Sequence, residues 1–179
     1  GYMFSNKINF AYKLIRTIYI FLLKNIIMKH SNKKVIVENR NDYFFLRKKY
    51  NLNSSEIKLI KGAGVNLHKY KFKKNNKSKK ILLPARVIKE KGIEEFIIAS
   101  NNLKKNFPNW KFIVAGTFDY KKQSILSKNR IKILNKLKAV EFLGYVENMI
   151  KIYKDTAIVC LPSYREGFSR VLQEAAAAG

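Results

Sequence analysis

Acidic residues are scarce in this sequence. Only 12 Asp and Glu accompany 37 Lys and Arg among 179 residues, so the formal net charge is +25. The cations are 30 lysines and 7 arginines, whereas proteins that read bases and phosphates rely on the bidentate arginine fork. The charge therefore does not favour nucleic acid as a partner. Two main interpretations of the positive charge remain: a genome-wide bias in composition toward lysine, or binding to an anionic membrane surface.

Cysteine and long uncharged runs are also scarce. Cys160 is the single cysteine and lies in an apolar run, so no disulfide framework is possible and a reducing cytoplasm suits the chain. The apolar stretch 11–28 is interrupted by Lys13, Arg16 and Lys24. No uncharged stretch approaches the roughly 18 residues that a membrane span needs, and no signal-peptide pattern is found.

Motifs for metals, phosphate loops and serine nucleophiles are missing. His30 and His68 stand apart from any Cys or carboxylate at metal-ligand spacing, and no Asp-x-Asp pair occurs. There is no Gly-x-Gly-x-x-Gly or Walker-type loop, and Ser163 and Ser169 have no nearby histidine. We therefore expect no metal site and no cofactor.

What the sequence does contain is a regular alternation of apolar runs and helical patterns. Residues 8–28 form an apolar helix pattern with a basic side, which fits either a core helix or a helix lying on an anionic membrane. Further helices are predicted at 42–50, 92–107, 122–138, 148–154 and from 168 onward, and strands at 34–38, 57–60, 81–85, 110–115, 140–143 and 157–161. Because the strands are continuously apolar, they predict an α/β fold with parallel sheets covered on both faces.

A run rich in Lys, Asn and Ser divides the chain. Residues 69–80 have little apolar content and are predicted to link a first domain at 1–68 to a second at 81–179. The chain begins without Met and stops at Gly179, where a helix should reach its C-cap. We therefore expect a piece of a longer protein in which both domains are incomplete.

Cations, glycines and an aromatic side chain gather after the strands of the second domain. Arg86 and Lys91 follow its first strand, and later strands are followed by Gly116, Gly144, Tyr145, Val146 and the turn 163–167. Ligands of open parallel sheets bind beyond the carboxyl ends of the strands. Cations suit phosphates, and the N–H groups of Phe168 and Ser169 at a helix N-terminus suit an oxyanion. This edge therefore predicts a site for a nucleotide diphosphate.

Two carboxylates stand at the end of this acid-poor chain. Glu166 lies in the turn and Glu174 on the following helix, eight positions later. The Ala-rich helix around Glu174 is predicted to be mostly buried, so this carboxylate should have a partner. A carboxylate also suits ribose hydroxyls.

Each feature of this predicted site also has a plainer interpretation. The cations would be ordinary surface residues, the glycines would only end strands, and the carboxylates would be solvated acids.

Together the residues resemble a known family. Glu166-Gly-Phe-Ser-Arg-Val-Leu-Gln-Glu174 resembles the Glu-x7-Glu motif of the family 4 retaining glycosyltransferases, which have the two-Rossmann-domain, B-type architecture. Arg86-Val-Ile-Lys-Glu-Lys91 resembles that family's paired Arg and Lys, which bind the donor diphosphate. Three further motifs match in order, over nearly the whole chain: Gly62-Ala-Gly-Val-Asn66, Phe142-Leu-Gly-Tyr-Val146 and Leu161-Pro-Ser-Tyr-Arg-Glu-Gly167. The last is most similar to enzymes that extend undecaprenyl-diphosphate-linked glycans, such as bacillosaminyl-lipid α-1,3-N-acetylgalactosaminyltransferases and capsule or O-antigen relatives.

The resemblance implies a role for each matching residue. Arg86 and Lys91 would be catalytic by neutralising the diphosphate and stabilising the departing nucleotide. Glu166 would also be catalytic, by contacting hydroxyls of the donor sugar. The two carboxylates therefore need not be the acid/base pair of a hydrolase. Glu174 would bind the ribose of the donor. The other donor-binding residues would lie around the sugar, the phosphates and the base: Gly116, Tyr145, Val146, Arg165, Gly167, Phe168 and Ser169.

The resemblance also implies an activity. It predicts a metal-independent retaining transferase that moves a sugar from UDP-N-acetylhexosamine or UDP-hexose to a lipid-linked glycan, at the cytoplasmic face of the cell membrane. Residues 1–68 would then be the C-terminal part of the acceptor domain. Asn66 departs from the family, which usually has an acid there. Most of the acceptor half is missing, including the loop and the histidine that the family places near the donor sugar, so we expect this piece to be inactive by itself.

Two other classes of function stay open at this point. One is a non-catalytic basic module that binds nucleic acid or anionic lipid. The other is a different B-type enzyme, such as a phosphorylase or a sucrose-type synthase.

Overall fold

The computed structural model describes residues 10–70, 78–118 and 128–179. The chain divides into two compact units, Gly1–Lys61 and Gly62–Gly179. This contact-based boundary lies a few residues before the end of the first predicted domain. Residues 71–77 of the predicted linker lie outside the described part, so the functional division into 1–68, 69–80 and 81–179 stays a prediction.

In its described residues, 10–61, the first unit contains two helices and two parallel strands. Asn39 starts the second helix by accepting a hydrogen bond from the N–H of Asp42 at 2.8 Å, as N-cap residues commonly do. Val37, Leu52 and Ile57 form its small buried core. Its elements are α1 (Phe10–Leu22), which continues into a π-helical turn (Leu23–Ile27), then β1 (Val35–Val37), α2 (Arg40–Tyr50) and β2 (Ile57–Leu59).

The apolar side of α1 is exposed. Leu14, Ile15, Ile18 and Phe21 keep between 49% and 61% of their surface accessible. The core and the membrane interpretations of this helix therefore both stay predictions. None of the helices in the described ranges is long and apolar enough to cross a membrane.

The second unit is built on a parallel sheet of four strands. Its elements are β3 (Lys80–Leu83), a 3-10 turn (Lys89–Lys91), α3 (Ile93–Asn106), β4 (Lys111–Ala115), α4 (Lys128–Leu134), β5 (Val140–Gly144), α5 (Met149–Lys154), β6 (Ile158–Val159) and α6 (Arg170–Ala178). The strand order is β5-β4-β3-β6, and every neighbouring pair is parallel. The predicted α/β fold class is confirmed.

Both faces of this sheet are covered by helices. Leu83 and Val114 pack into a cluster that contains residues of α3 and α4. Leu82 and Ile113 pack into a second cluster that contains residues of α5 and α6. Successive residues of a strand point to opposite faces, so a sheet buried on both sides requires continuously apolar strands. This is why the strands could be recognised from their composition.

The last strand is shorter than predicted. β6 covers two residues of the predicted 157–161 and pairs only with β3. The N–H of Cys160 still donates to the carbonyl of Leu82 at 2.8 Å. Pro84 follows β3 directly and has no N–H to donate, so the ladder between the two strands cannot continue. The chain beyond Cys160 is thereby free to leave the sheet as a loop.

The fourth helix also ends earlier than predicted. Of the predicted helix 122–138, residues 122–127 lie outside the described part and α4 ends at Leu134. The side chain of Asn135 donates to the carbonyl of Val140 at 2.8 Å and accepts from its N–H at 3.0 Å. Lys138 takes a φ of 51°, which reverses the chain. Asn135 thus joins the end of α4 to the start of β5.

Gly92 lies where two segments of the second unit meet. A Cβ at this position would be 2.2 Å from the carbonyl oxygen of Pro162, much closer than any real contact. Its φ of 70° lies in the left-handed region that glycine adopts most easily. The turn before α3 can therefore pack against the segment after β6 only because residue 92 has no side chain.

We expect Gly92→Ala to destabilise the chain more than Gly144→Ala. Both glycines have a φ near 70° (70° and 69°), but a Cβ at Gly144 would meet nothing within 4 Å. Left-handed strain alone should cost about 1 kcal/mol in each variant, and the clash at Gly92 should add about 1–3 kcal/mol. Urea denaturation followed by circular dichroism measures both free energies of unfolding. Equal losses would show that Gly92 and Pro162 are not in close contact.

Candidate functional site

The predicted site residues follow the carboxyl ends of the strands in the second unit. Arg86 is exposed and follows β3. Its neighbour Val87 is buried and fixes the segment, because the N–H of Val87 donates to the carbonyl of Thr117 at 2.9 Å. A Cβ on Gly116 would lie 2.0 Å from the carbonyl oxygen of Ala85. Gly116 is therefore needed for packing beside Arg86, and its predicted contact with a donor stays a prediction.

Lys91 and Glu166 form an ion pair. Lys91 Nζ lies 2.5 Å from Glu166 Oε1, and the side chains keep 24% and 30% of their surface accessible. The sequence places the two residues 75 positions apart and predicts a role for each, but it does not predict that they touch. The predicted catalytic cation and the predicted sugar-binding carboxylate are thus held at one point of the sheet edge.

Tyr164 fastens the loop that carries Glu166. Its N–H donates to the carbonyl of Glu90 at 3.0 Å, and its hydroxyl donates to the carboxylate of Glu95. The hydrogen bond to Glu95 raises the pKa of the Tyr164 phenol, so the group stays a neutral donor at physiological pH. Together with the ion pair of Lys91, these contacts hold the loop after β6 against the turn and first residues of α3.

The N-terminus of α6 lies next to this loop. The hydroxyl of Ser169 accepts a hydrogen bond from the N–H of Leu172 at 3.4 Å and caps the helix. Phe168 precedes the cap and is 40% exposed. The first N–H groups of a helix have no partner within the helix and attract anions. The predicted helix N-terminus at Phe168 and Ser169 is therefore present, and its oxyanion role stays a prediction.

Gly62 lies beside the same helix end. A Cβ built on it would be 3.1 Å from Phe168 Cδ1 and 3.2 Å from Gln173 Nε2. Its φ is 65°. The sequence shows that the Gly-Ala-Gly segment permits a close approach, but it does not reveal what approaches it. The structure adds this segment to the site.

Glu174 is held by three side chains. Arg170 Nε donates to Oε1 at 2.9 Å, the hydroxyl of Tyr153 donates to Oε2 at 3.4 Å, and Tyr70 also hydrogen-bonds the carboxylate. The Glu174 side chain keeps only 14% of its surface accessible. Burial, and secondarily the charge of Glu174, raise the pKa of Tyr153 far above its usual range. The prediction that Glu174 has a partner is confirmed. The sequence does not predict the two tyrosines, because the pattern around Tyr153 indicates a core helix and the pattern around Tyr70 indicates a loop.

The remaining predicted donor-binding residues lie on loops at this edge of the sheet. Gly144 takes a left-handed φ of 69° that turns the chain out of β5, and Tyr145 after it is 78% exposed. Val146 packs against the core cluster shared by α5 and α6. Arg165 and Gly167 are exposed in the loop around Glu166. Across residues 10–70, 78–118 and 128–179, no group of three or more His, Cys, Asp or Glu is arranged to hold a metal ion.

The site thus combines groups that suit an anionic ligand with hydroxyls. It offers the cations of Arg86 and Lys91, a helix N-terminus at Ser169 and two fixed carboxylates on one side of a parallel sheet. Cations and helix N-termini stabilise phosphate charge, and carboxylates accept hydrogen bonds from sugar or ribose hydroxyls.

Known proteins resemble the chain over this region and beyond it. A family model described as glycosyl transferases group 1 matches residues 65–179. The N,N'-diacetylbacillosaminyl-diphospho-undecaprenol alpha-1,3-N-acetylgalactosaminyltransferase of Campylobacter jejuni is 30% identical over 184 residues, covering 95% of this chain and 46% of that protein. The chain therefore spans about half the length of the curated relative that it matches.

Solved structures show a similar fold. A Staphylococcus aureus TarM mutant in complex with Fondaparinux, alpha-GlcNAc-glycerol and UDP has a TM-score of 0.70 at 21% identity, covering 92% of this chain and 31% of that chain. Anabaena HepE in complex with UDP has a TM-score of 0.67 at 18% identity, covering 98% of this chain and 49% of that chain. Such neighbours have the B-type glycosyltransferase fold that the sequence resemblance predicts. Because the family model matches more than half of the residues, this chain belongs to the glycosyl transferases group 1 family.

Proposed function

We propose that the chain supplies the nucleotide-sugar site of a retaining glycosyltransferase that acts on a lipid-linked glycan. The observation that carries the proposal is the ion pair of Lys91 and Glu166 at the carboxyl edge of the parallel sheet, beside Arg86 and the N-terminus of α6. A donor has a diphosphate next to a sugar, and this arrangement offers a cation next to a carboxylate. The donor is a UDP-sugar, and the solved complexes of TarM and HepE with UDP support this choice.

In this proposal the cations stabilise the leaving group. Arg86 and Lys91 neutralise the diphosphate as negative charge develops on the departing nucleotide, which is the role of preorganised charges in a transition state. The N–H groups at the start of α6 add to this stabilisation near Phe168 and Ser169. Two cations and a helix N-terminus replace the charge that a metal ion would supply, so the reaction proceeds without metal.

The carboxylates fix the donor rather than attack it. Glu166 accepts hydrogen bonds from hydroxyls of the transferred sugar, and Glu174 accepts them from the ribose. Tyr145 and Val146 border the base. The acceptor attacks from the face that the diphosphate leaves, so the anomeric configuration is retained without a protein nucleophile. Holding the reacting groups in this geometry contributes much of the rate increase.

The acceptor is an undecaprenyl-diphosphate-linked glycan in the synthesis of a surface polysaccharide, capsule or O-antigen. The name of the Campylobacter jejuni relative supports the lipid carrier. Such an acceptor requires the enzyme to work at the inner face of the cell membrane. The net charge of +25 and the exposed apolar side of α1 are suited to an anionic lipid surface. The donor sugar is an N-acetylhexosamine or a hexose.

Replacing Lys91 should weaken donor binding, whereas replacing its neighbour should not. Lys91→Ala removes a cation that contacts Glu166 and, in this proposal, the diphosphate. We expect the dissociation constant for UDP to rise roughly ten- to hundredfold in isothermal titration calorimetry. Lys89→Ala is the matched control, because Lys89 lies on the same 3-10 turn and is exposed. Equal weakening in both variants would indicate general charge attraction and would contradict the proposed site.

Removing the charge of the two carboxylates should stop transfer in the full-length protein. We expect Glu166→Gln and Glu174→Gln each to lower the rate of sugar transfer roughly hundredfold or more, because each carboxylate fixes the donor in the reactive geometry. Glu141→Gln, at an exposed position of β5, is the control and should keep the rate. A non-catalytic basic module would instead show no transfer in any variant, and its binding would fall steeply with added salt.

A further inference from the structure

The carboxylate of Glu174 is unusually well held for a residue near a surface site. Its side chain is 14% exposed, while the Arg170 side chain that pairs with it is 77% exposed. An exposed arginine four residues away on a helix contributes little energy and fixes a carboxylate only loosely. The other contacts of Glu174 come from two tyrosines that pack against the core.

Tyr153 reaches Glu174 from the core. Its ring is only 5% exposed and packs with Leu82, Ile113 and Ala178 on the face of the sheet covered by α5 and α6. Close packing around the ring fixes the position of the hydroxyl at its tip. That hydroxyl donates to Glu174 Oε2 at 3.4 Å. The core of the unit thus determines where one oxygen of the carboxylate lies.

Tyr70 reaches the same carboxylate from the segment that precedes the sheet. It is half-buried and packs against the same core cluster, and its hydroxyl hydrogen-bonds Glu174. Gly62, eight residues earlier, lies against Phe168 and Gln173. Both ends of the segment 62–70 therefore touch the start and the first turns of α6.

We propose that Tyr153 and Tyr70 are positioning residues that aim the carboxylate of Glu174 at the ribose hydroxyls of the nucleotide donor. The inference rests on the proposed function, because it assumes that Glu174 accepts hydrogen bonds from the ribose. An ionised carboxylate has about four acceptor positions. Arg170, Tyr153 and Tyr70 use three, which leaves one direction open for a ligand hydroxyl and opposes rotation of the group.

The two phenols are suited to this task because they stay neutral. Burial, followed by the charge of Glu174, raises the pKa of Tyr153, and burial followed by the hydrogen bond to Glu174 raises that of Tyr70. Both hydroxyls therefore remain donors across the physiological range. Each phenol has a single O–H, and the hydrogen bond to Glu174 uses it. Their effect on a ribose hydroxyl therefore passes through that carboxylate.

The test compares UDP with 2',3'-dideoxy-UDP, which lacks both ribose hydroxyls. We expect the unmodified chain to bind UDP more tightly in isothermal titration calorimetry. In Tyr153→Phe and Tyr70→Phe the dissociation constant for UDP should rise roughly three- to tenfold, and that for 2',3'-dideoxy-UDP should stay unchanged. The double variant should lose most of the preference for UDP. Tyr50→Phe, which alters a tyrosine of the first unit, is the control and should change neither constant.

The binding constants also distinguish a wrong positioning role from a wrong ribose contact of Glu174. If the tyrosine variants lose affinity for both nucleotides equally, or for neither, the positioning role is wrong while the proposed donor site stands. If the unmodified chain binds both nucleotides equally well, Glu174 does not contact the ribose, and the inference fails with that part of the proposed function. Phenylalanine keeps the ring of Tyr153, so melting temperatures should remain close. Should Tyr153→Phe unfold, Tyr70→Phe carries the same comparison.

Discussion

The contact between the turn Lys89–Lys91 and the loop after β6 organises the rest of the site. Gly92 allows the two segments to touch at Pro162. Tyr164 holds the loop by hydrogen bonds to Glu90 and Glu95. The ion pair of Lys91 and Glu166 is a further contact between the turn and the loop. A half-buried ion pair is a weak source of stability, because desolvation offsets much of the attraction. Its value is geometric: residues far apart in sequence are held at one place.

The shortage of acids makes their placement informative. In a chain with 12 Asp and Glu, a carboxylate surrounded by so many cations could find a partner almost anywhere. Glu166 and Glu174 instead have specific and different partners: a cation for the first, and an arginine with two tyrosines for the second. The positive field of the whole chain is suited to an anionic ligand, while these local contacts determine where the two carboxylates lie.

The strands that are buried on both faces of the sheet can be predicted from the sequence, whereas the contacts between loops cannot. Apolar runs of four or five residues revealed β3, β4 and β5, because both faces of the sheet are buried. The end of β6 is not predicted correctly, because it depends on Pro84, which directly follows the neighbouring strand β3. The motifs identified Lys91, Glu166 and Glu174, but the ion pair, the approach of Gly62 to α6 and the role of Tyr153 depend on tertiary packing. No local pattern signals that a core tyrosine has its hydroxyl on a carboxylate.

The chemistry of lysine explains how one residue can serve both the protein and a donor. An ammonium group has three N–H donors that can point in different directions, and the pair with Glu166 uses one of them. Lys91 can therefore contact a diphosphate without releasing the loop. A planar guanidinium favours paired, coplanar contacts with a single carboxylate or phosphate, which is less suited to bridging two groups. In the proposed site, Lys91 would lie between the donor diphosphate and Glu166, so that it would contact the diphosphate without breaking the ion pair that holds the loop.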